Sequence, residues 1–122
     1  MRTQLLGRYG EAETIKYLRS NGYEIIEVNF RSRFGEIDII AEKNKMIVFC
    51  EVKMRKDNHF AEAREFVDKY KQERLMKTAA IWLSMQKNEP TCRFDVSEVY
   101  AEKLGGETQI HYIENAFAYF YI

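Results

Sequence analysis

The chain is 122 residues long, with 46% apolar and 31% charged residues and a single proline, which is typical of one globular domain spanning residues 1–122. No run approaches the roughly 18 apolar residues of a membrane-spanning helix, and the first residues lack the apolar core of a signal peptide. We therefore expect a cytoplasmic protein with no membrane partner. The formal net charge is zero, but residues 1–87 carry 17 Lys and Arg against 13 Asp and Glu, an excess compatible with an acidic polymer as partner.

The first predicted element is an amphipathic helix over residues 5–20, whose apolar side chains recur at three- and four-residue steps. Glu11 borders the apolar stripe, and its spacing alone favours an ordinary solvated glutamate. Gly7 and Gly10 lie one turn apart, which suits either the close approach of another segment or a weak helix start. A short strand is predicted over residues 23–28.

The central feature of the sequence is a predicted hairpin, with strands over residues 34–41 and 46–53 joined by a short polar turn. Both strands are rich in apolar and β-branched residues, as buried strands are. Asp38, Glu51 and Lys53 nevertheless interrupt them. Because burying an unpaired charge is costly, each of these side chains needs a partner, an ion or water.

The register of the hairpin decides whether the three charged side chains meet. A two-residue turn at residues 43–44 places Asp38 opposite Phe49, whereas a four-residue turn places Asp38 opposite Glu51. Glu51 and Lys53 share a face because alternate residues of a strand point the same way. Residues opposite one another also share a face, so both registers predict one cluster of Asp38, Glu51 and Lys53.

Basic residues flank this hairpin on both sides. Arg31 and Arg33 precede its first strand, Arg55 follows its second strand, and Lys71 lies on the charged face of the next predicted helix. Such residues either belong to a solvated surface or bind a phosphate backbone, and the sequence leaves both interpretations open.

The second half of the chain completes an alternating pattern of helix and strand. A helical pattern over residues 61–86 breaks near Asp68, and strands are predicted over residues 92–96 and 109–113. The strongly aromatic tail, residues 116–122, should pack on the domain or on a second copy of it. A homodimer is therefore one expectation for the partner.

The cysteines and histidines offer no site of their own. Cys50 and Cys92 lie in apolar strand-like runs, which predicts buried free thiols in a reducing compartment. His59 and His111 are isolated, and no pair has the spacing of a zinc site. Any metal chemistry must therefore use carboxylates.

Carboxylates that lie close together repel one another, and a bound cation removes that repulsion. Oxygen ligands without cysteine or histidine favour a hard ion such as Mg²⁺ or Mn²⁺. Asp38 and Glu51 would hold the ion, while Lys53 would orient or deprotonate the attacking water and stabilise charge on a phosphate. The alternative is a buried ion pair of Lys53 with a carboxylate, without any ion.

Asp38, twelve intervening residues and then Glu51-Val52-Lys53 resemble the metal-binding signature of the PD-(D/E)xK nucleases. Over nearly its whole length, the sequence resembles the YraN-like family of small bacterial proteins, an uncharacterised family with a restriction-endonuclease-like fold. The matching stretches, in chain order, are Gly7, Gly10 and Glu11; Asn29 and Arg31; residues 35–41; residues 49–53 and Arg55; Lys71; residues 93–96; and residues 115–117.

The resemblance implies an α/β fold with a mixed sheet flanked by helices, in the order helix–strand–strand–strand–helix–strand, followed by a C-terminal strand and a short helix. The chain is also similar to archaeal Holliday-junction resolvases, which implies that Glu11 of the first helix joins Asp38 and Glu51 at the metal. Two positions depart from the pattern. Ile37 stands where the superfamily's name has proline, and Ala61 replaces a glycine common in the family.

Together, these features predict an Mg²⁺- or Mn²⁺-dependent endonuclease that hydrolyses phosphodiester bonds of nucleic acid, with DNA favoured over RNA. Asp38, Glu51 and Lys53 are its predicted catalytic residues, and the metal ligands are those two acids with Glu11. The predicted phosphate-backbone contacts are Arg31, Arg33, Arg55 and Lys71. Two alternatives remain: a non-catalytic nucleic-acid-binding module that acts with a partner protein, and a structural subunit whose acids and lysine only pair.

Overall fold

The computed structural model of the protein describes residues 3–55, 68–101 and 106–117, with only the backbone of Thr3 and Gln4. The chain forms two helices and five strands in these segments. Their bounds are α1 (Thr3–Ser20), β1 (Glu24–Ser32), β2 (Gly35–Lys43), β3 (Met46–Arg55), α2 (Lys69–Ser84), β4 (Thr91–Ala101) and β5 (Thr108–Phe117). Within these segments, no helix is long and apolar enough to cross a membrane.

The five strands form one mixed sheet in the order β1-β2-β3-β4-β5. β3 and β4 pair in parallel because α2 carries the chain back between them, whereas the other neighbours pair antiparallel. The predicted mixed sheet flanked by helices, with its predicted element order and C-terminal strand, is confirmed. The short helix expected after that strand would fall on residues 118–122, which lie outside the described residues.

Alternation along the two central strands supplies an apolar core on each face of the sheet. Ile40 and Phe49 point to the face covered by α2, where they pack with Trp82. Ile39 and Cys50 point to the opposite face, where Leu18 of α1 covers them. Because β2 and β3 are apolar on both sides, they form the buried centre of the sheet.

The hairpin turn consists of Asn44 and Lys45, which both have positive φ angles, 52° and 66°. Such a two-residue turn matches the twist of the strands that it joins. It pairs Lys43 with Met46 and sets the register that, continued one pair beyond Ile39 and Cys50, aligns Asp38 with Glu51. The second predicted register is therefore the observed one. It is reached through a two-residue turn at residues 44–45, so both predicted turns, at 43–44 and over four residues, are wrong.

Several element bounds differ from the predicted ones. β1, β4 and β5 are longer than predicted, because their ladders continue over residues 29–32, 97–101 and 114–117. The predicted break at Asp68 is the start of α2, where Asp68 Oδ1 accepts the N–H of Lys71 at 2.8 Å. Residues 56–67, which include Ala61, lie outside the described residues.

The aromatic tail begins as a core element. The ring of Phe117 stacks on the ring of Phe94 with 4.9 Å between centroids, so this part of the tail packs on its own domain. The rest of the tail lies beyond the described residues, and the homodimer stays a prediction.

The two glycines of α1 have different surroundings. A Cβ added to Gly10 would lie 2.5 Å from Met54 Sδ and 3.1 Å from Val52 Cγ1, whereas one added to Gly7 meets nothing within 4 Å. The close approach considered for this pair therefore holds for Gly10, which lets α1 lie against β3.

Gly7→Ala is expected to raise the free energy of unfolding by about 0.5–1 kcal/mol because alanine restricts the unfolded chain and favours helix. Gly10→Ala is expected to lower it by about 1 kcal/mol or more, since Val52 and Met54 must move. Urea denaturation of the two variants measures the difference. Equal effects at both positions would show that α1 does not lie as close to β3 as described.

Candidate active site

The candidate site lies where β2 and β3 separate. Their ladder ends at the pair Ile39 and Cys50, after which β2 continues beside β1 and β3 continues beside β4. The two strands form a fork, with Asp38 on one prong and Glu51 on the other. Asp38 Oδ2 accepts the N–H of Val52 at 2.8 Å, so a side chain bridges the prongs where the backbone ladder has ended.

Three carboxylates meet at the β2 prong of this fork. Glu11 of α1 and Glu36 and Asp38 of β2 place oxygen atoms within 4.8 Å of one another, and we call these residues the acid group. The predicted approach of Glu11 to Asp38 is thus observed. Glu36 was not among the predicted site residues, although its position two residues before Asp38 on one strand was an available signal.

Asn29 holds two members of the acid group together. It has a positive φ of 57° within β1 and lies between the pairs Val28–Ile39 and Phe30–Ile37 of the ladder with β2. Its Nδ2 donates to Glu11 Oε2 at 3.1 Å and to Glu36 Oε1 at 3.0 Å. One amide group thereby links α1 to β2.

The surroundings of Asp38 shift the pKa of its carboxyl. The pKa of Asp38 is raised to about 7, chiefly by burial and also by the negative charges of Glu51, Glu11 and Glu36, while the hydrogen bond from the Val52 N–H acts in the opposite direction. A carboxyl with this pKa is poised between its protonated and charged forms near neutral pH. A cation in the acid group would favour the charged form.

Two lysines occupy the other side of the fork. Glu51 is 8% exposed, and its Oε1 lies 2.9 Å from Lys71 Nζ and 3.8 Å from Lys53 Nζ. We call Lys53 and Lys71 the lysine pair. Glu51 is thus brought close to Asp38 as predicted, but its carboxylate faces the lysine pair and is not a member of the acid group.

The two lysines respond to this environment in opposite ways. Burial lowers the pKa of Lys53, and the hydrogen bond and positive charge of Lys71 lower it further. Burial also disfavours the charged form of Lys71, but the charge and hydrogen bond of Glu51, the hydrogen bond with Lys53 and the charge of Asp38 together raise its pKa. Lys71 therefore remains the charged lysine, and Lys53 is the one that gives up its proton more readily.

The other predicted phosphate contacts have different surroundings. Arg31 is exposed and donates through Nε to Glu36 Oε2 at 2.6 Å, while Arg33 lies 4.8 Å from the ring centroid of Phe34. Arg55 turns inward and donates through Nε to the buried Glu98 at 3.1 Å. Their contacts with phosphate stay predictions, and Arg55 is the least accessible of the three.

The chemistry of the acid group fits a hard divalent cation. All three members offer carboxylate oxygens, which suit Mg²⁺ or Mn²⁺ and not a soft metal. A bound cation would offset both the burial of the Asp38 charge and its repulsion by Glu51, Glu11 and Glu36, which together raise the pKa of this carboxyl. Glu11, Glu36 and Asp38 are therefore the residues that would hold the ion.

Asn29→Gly is expected to weaken Mn²⁺ binding about 10-fold or more, because glycine accepts the positive φ but cannot hold Glu11 and Glu36. Asn44→Gly is the matched control, since Asn44 has a similar φ of 52° in the hairpin turn, away from the acid group. Isothermal titration calorimetry measures both affinities. Equal affinity in the two variants would exclude an ordering role for the Asn29 amide.

Comparison with known proteins identifies relatives that cover almost the whole chain. The profile of "Uncharacterised protein family UPF0102" matches residues 10–99, which contain the acid group and the lysine pair. A UPF0102 protein of Thermodesulfovibrio yellowstonii is 45% identical over 92% of this chain and 95% of its own length. A UPF0102 protein of Caldicellulosiruptor bescii is 40% identical over 96% of this chain and 100% of its own length. A UPF0102 protein of Acetivibrio thermocellus is 44% identical over 91% of this chain and 89% of its own length.

Proposed function

The chain belongs to the uncharacterised protein family UPF0102, as its resemblance to YraN-like proteins predicted, and we propose that it is a metal-dependent nuclease. Its substrate would be the phosphodiester backbone of nucleic acid, with DNA favoured over RNA. The observation that carries the proposal is the fork itself, which places an acid group on one side and a lysine pair on the other, around Asp38 and Glu51.

The residues of the fork have three different roles in this proposal: metal binding, proton acceptance and stabilisation of charge. Asp38, Glu11 and Glu36 would hold the Mg²⁺ or Mn²⁺ ion, which when bound supplies Lewis-acid stabilisation of the charge that develops on a phosphate. Lys53 Nζ, with its lowered pKa, accepts a proton from the attacking water. Lys71 keeps its charge and stabilises negative charge on the phosphate oxygens.

Glu51 has a different role in this proposal from the one predicted from the sequence. Its buried carboxylate orients the lysine pair, since Lys71 lies 2.9 Å and Lys53 3.8 Å from the same oxygen atom. Removing Glu51 would leave the two lysines to repel each other. The proximity of Glu11 to Asp38 also supports placing the chain in the PD-(D/E)xK superfamily, with a likeness to archaeal Holliday-junction resolvases, as part of the same proposal.

The thiols support a cytoplasmic location as part of the proposal. Cys50 is buried and Cys92 is partly buried, and both are free. Burial raises the pKa of both thiols, which keeps them protonated and unreactive. Such cysteines suit a reducing compartment.

A second candidate function is a nucleic-acid-binding module that depends on a partner protein for catalysis. The observation that favours it is the ion pairing of Glu51, because the two lysines already balance this carboxylate without any cation. In that case the fork would bind a phosphate backbone and not cleave it.

A cleavage panel separates the two candidates. Purified protein is incubated with duplex, branched and single-stranded DNA and with RNA, in Mg²⁺, in Mn²⁺ and in EDTA. The nuclease proposal expects cleavage of at least one substrate that requires the metal. Binding at low salt without cleavage of any substrate supports the module instead, and absence of binding at low salt contradicts both candidates.

A further inference from the structure

A cationic and aromatic surface adjoins the fork, at the turn between β1 and β2 and along the first turns of α2. We call it the turn–helix surface. It consists of Arg33, Phe34, Tyr70, Arg74 and Lys77. The acidic residues at this end of α2 are the N-cap Asp68 and Glu73, against the positive charges of Arg33, Arg74 and Lys77, so the surface keeps an excess of positive charge.

The Phe34 side of this surface orients two cations. Arg33 lies 4.8 Å and Lys77 Nζ 5.2 Å from the centroid of the Phe34 ring. Ser32 and Thr78 join their hydroxyl groups at 2.8 Å, which fastens the turn to α2. The two cations are therefore held on a fixed framework.

The Tyr70 side of the surface offers an aromatic ring. Tyr70 is 68% exposed, the largest exposure among the large apolar residues named for the described segments. The Arg74 guanidinium lies 5.7 Å from the ring centroid, and its Nη1 donates to the Tyr70 hydroxyl at 3.3 Å. Arg74 also passes Gly35, where a Cβ would lie 3.8 Å from its Nε. Arg74 thus connects the ring to the turn.

The turn–helix surface is continuous with the candidate site at two points. Gly35 begins β2 three residues before Asp38, a separation of about 10 Å along the strand. Tyr70 directly precedes Lys71, which reaches Glu51. A strand whose phosphate lies in the fork would therefore extend over the cations and the ring.

We propose that the turn–helix surface binds unpaired nucleotides of the substrate strand, with a base stacked on Tyr70 and neighbouring phosphates on Arg33, Arg74 and Lys77. This inference rests on the proposed nuclease function, and it narrows the substrate to nucleic acid with a single-stranded segment beside the cleaved bond. The bases of an intact duplex are stacked on one another, whereas an unpaired base has a free face for an exposed ring.

Fluorescence anisotropy in metal-free buffer at low salt tests the inference without cleavage. The probes are a labelled single strand, a blunt duplex and the same duplex with a single-stranded tail. Tyr70→Ala is expected to raise the Kd for the single strand and the tailed duplex about 10-fold, and to leave the blunt duplex within about twofold. Tyr70→Phe keeps the ring and should bind as the wild type does.

Met85→Ala is the matched control, because Met85 is an exposed residue at the other end of the same helix. The inference is overturned if Tyr70→Ala lowers the affinity for all three probes equally, or if it lowers the affinity for none of them. If the Tyr70→Ala variant cleaves a blunt duplex as well as the wild type does, in a metal-dependent reaction, the nuclease proposal stands. Only the proposed role of the turn–helix surface is then rejected. Failure of the wild type to bind any probe rejects both.

Discussion

Asp38→Asn is expected to abolish metal-dependent cleavage, by about 1,000-fold or more, while it raises the stability of the metal-free protein. The substitution removes the central carboxylate of the acid group and its repulsion with Glu51 and Glu11. At pH 8, we expect the free energy of unfolding to rise by about 1–2 kcal/mol. Cleavage assays and urea denaturation of the same samples measure both effects.

The pH dependence of this stability gain follows from the direction of the Asp38 pKa shift. The carboxyl has a pKa of about 7 in the fold and 3.8 ordinarily, so between these values the folded chain holds a proton that the unfolded chain releases. The Asp38 contribution to wild-type stability is therefore present below about pH 4 and is lost as the pH rises through 7. The amide introduced by Asp38→Asn does not titrate, so the advantage of this variant should grow from pH 5 to pH 8.

Glu42→Gln serves as the control for Asp38→Asn, since Glu42 lies on the same strand near the hairpin turn, outside the acid group. It should preserve cleavage and show no comparable growth in stability with pH. A loss of stability in Asp38→Asn at pH 8 would contradict the metal site. That result is expected if Asp38 serves as the ion-pair partner of Lys53 in a purely structural cluster.

Asp95→Ala is expected to lower the free energy of unfolding by about 3–5 kcal/mol, because it removes a buried acceptor of four hydrogen bonds and leaves the partly buried Arg93 without its carboxylate. Asp95 is 1% exposed and accepts two hydrogen bonds of 2.8 Å from Arg93. It also accepts the Tyr112 hydroxyl at 2.7 Å and the N–H of Asn115 at 2.8 Å. Urea denaturation of the variant measures the loss.

Tyr112→Phe provides the graded comparison for Asp95→Ala, since it removes the hydrogen bond of the Tyr112 hydroxyl to Asp95 and keeps the aromatic ring. We expect it to cost about 1 kcal/mol. If Asp95→Ala changed Mn²⁺ affinity at unchanged stability, the residue would belong to the active site and not to the framework. The matching stretches at residues 93–96 and 115–117 are joined by this network, which gives them a structural role between β4 and β5.

The sequence predicted the elements that depend on local pattern. The apolar strands β2 and β3 and the helix α1 appear where expected, because local pattern reflects burial. The apolar stripe predicted for α1 is only partly confirmed, since Leu18 is buried but Leu5 and Ala12 are exposed. The register that brings Asp38 opposite Glu51 was one of two left open. Choosing between them required the backbone of Asn44 and Lys45, whose positive φ angles are not encoded by a pattern of polarity.

The contacts made across the fold could not be predicted in the same way. Lys71 was expected on a phosphate-binding surface, but the docking of α2 against the sheet brings it to Glu51. Asn29 belongs to a stretch that matches the family, but no role was predicted for it. Its contact with Glu11 depends on an unusual backbone angle within a strand. Periodicity alone favoured a solvated Glu11, and only the family resemblance predicted its approach to Asp38.

The hydrogen bond between Asp38 and Val52 has a practical consequence for experiments on this protein. The Val52 N–H points at a carboxyl oxygen whose protonation changes near neutral pH. Its NMR resonance should therefore move with the charge of that carboxyl, whether a proton or a cation balances it. The chemical shift of the Val52 amide therefore reports the charge of Asp38 in samples that contain no substrate.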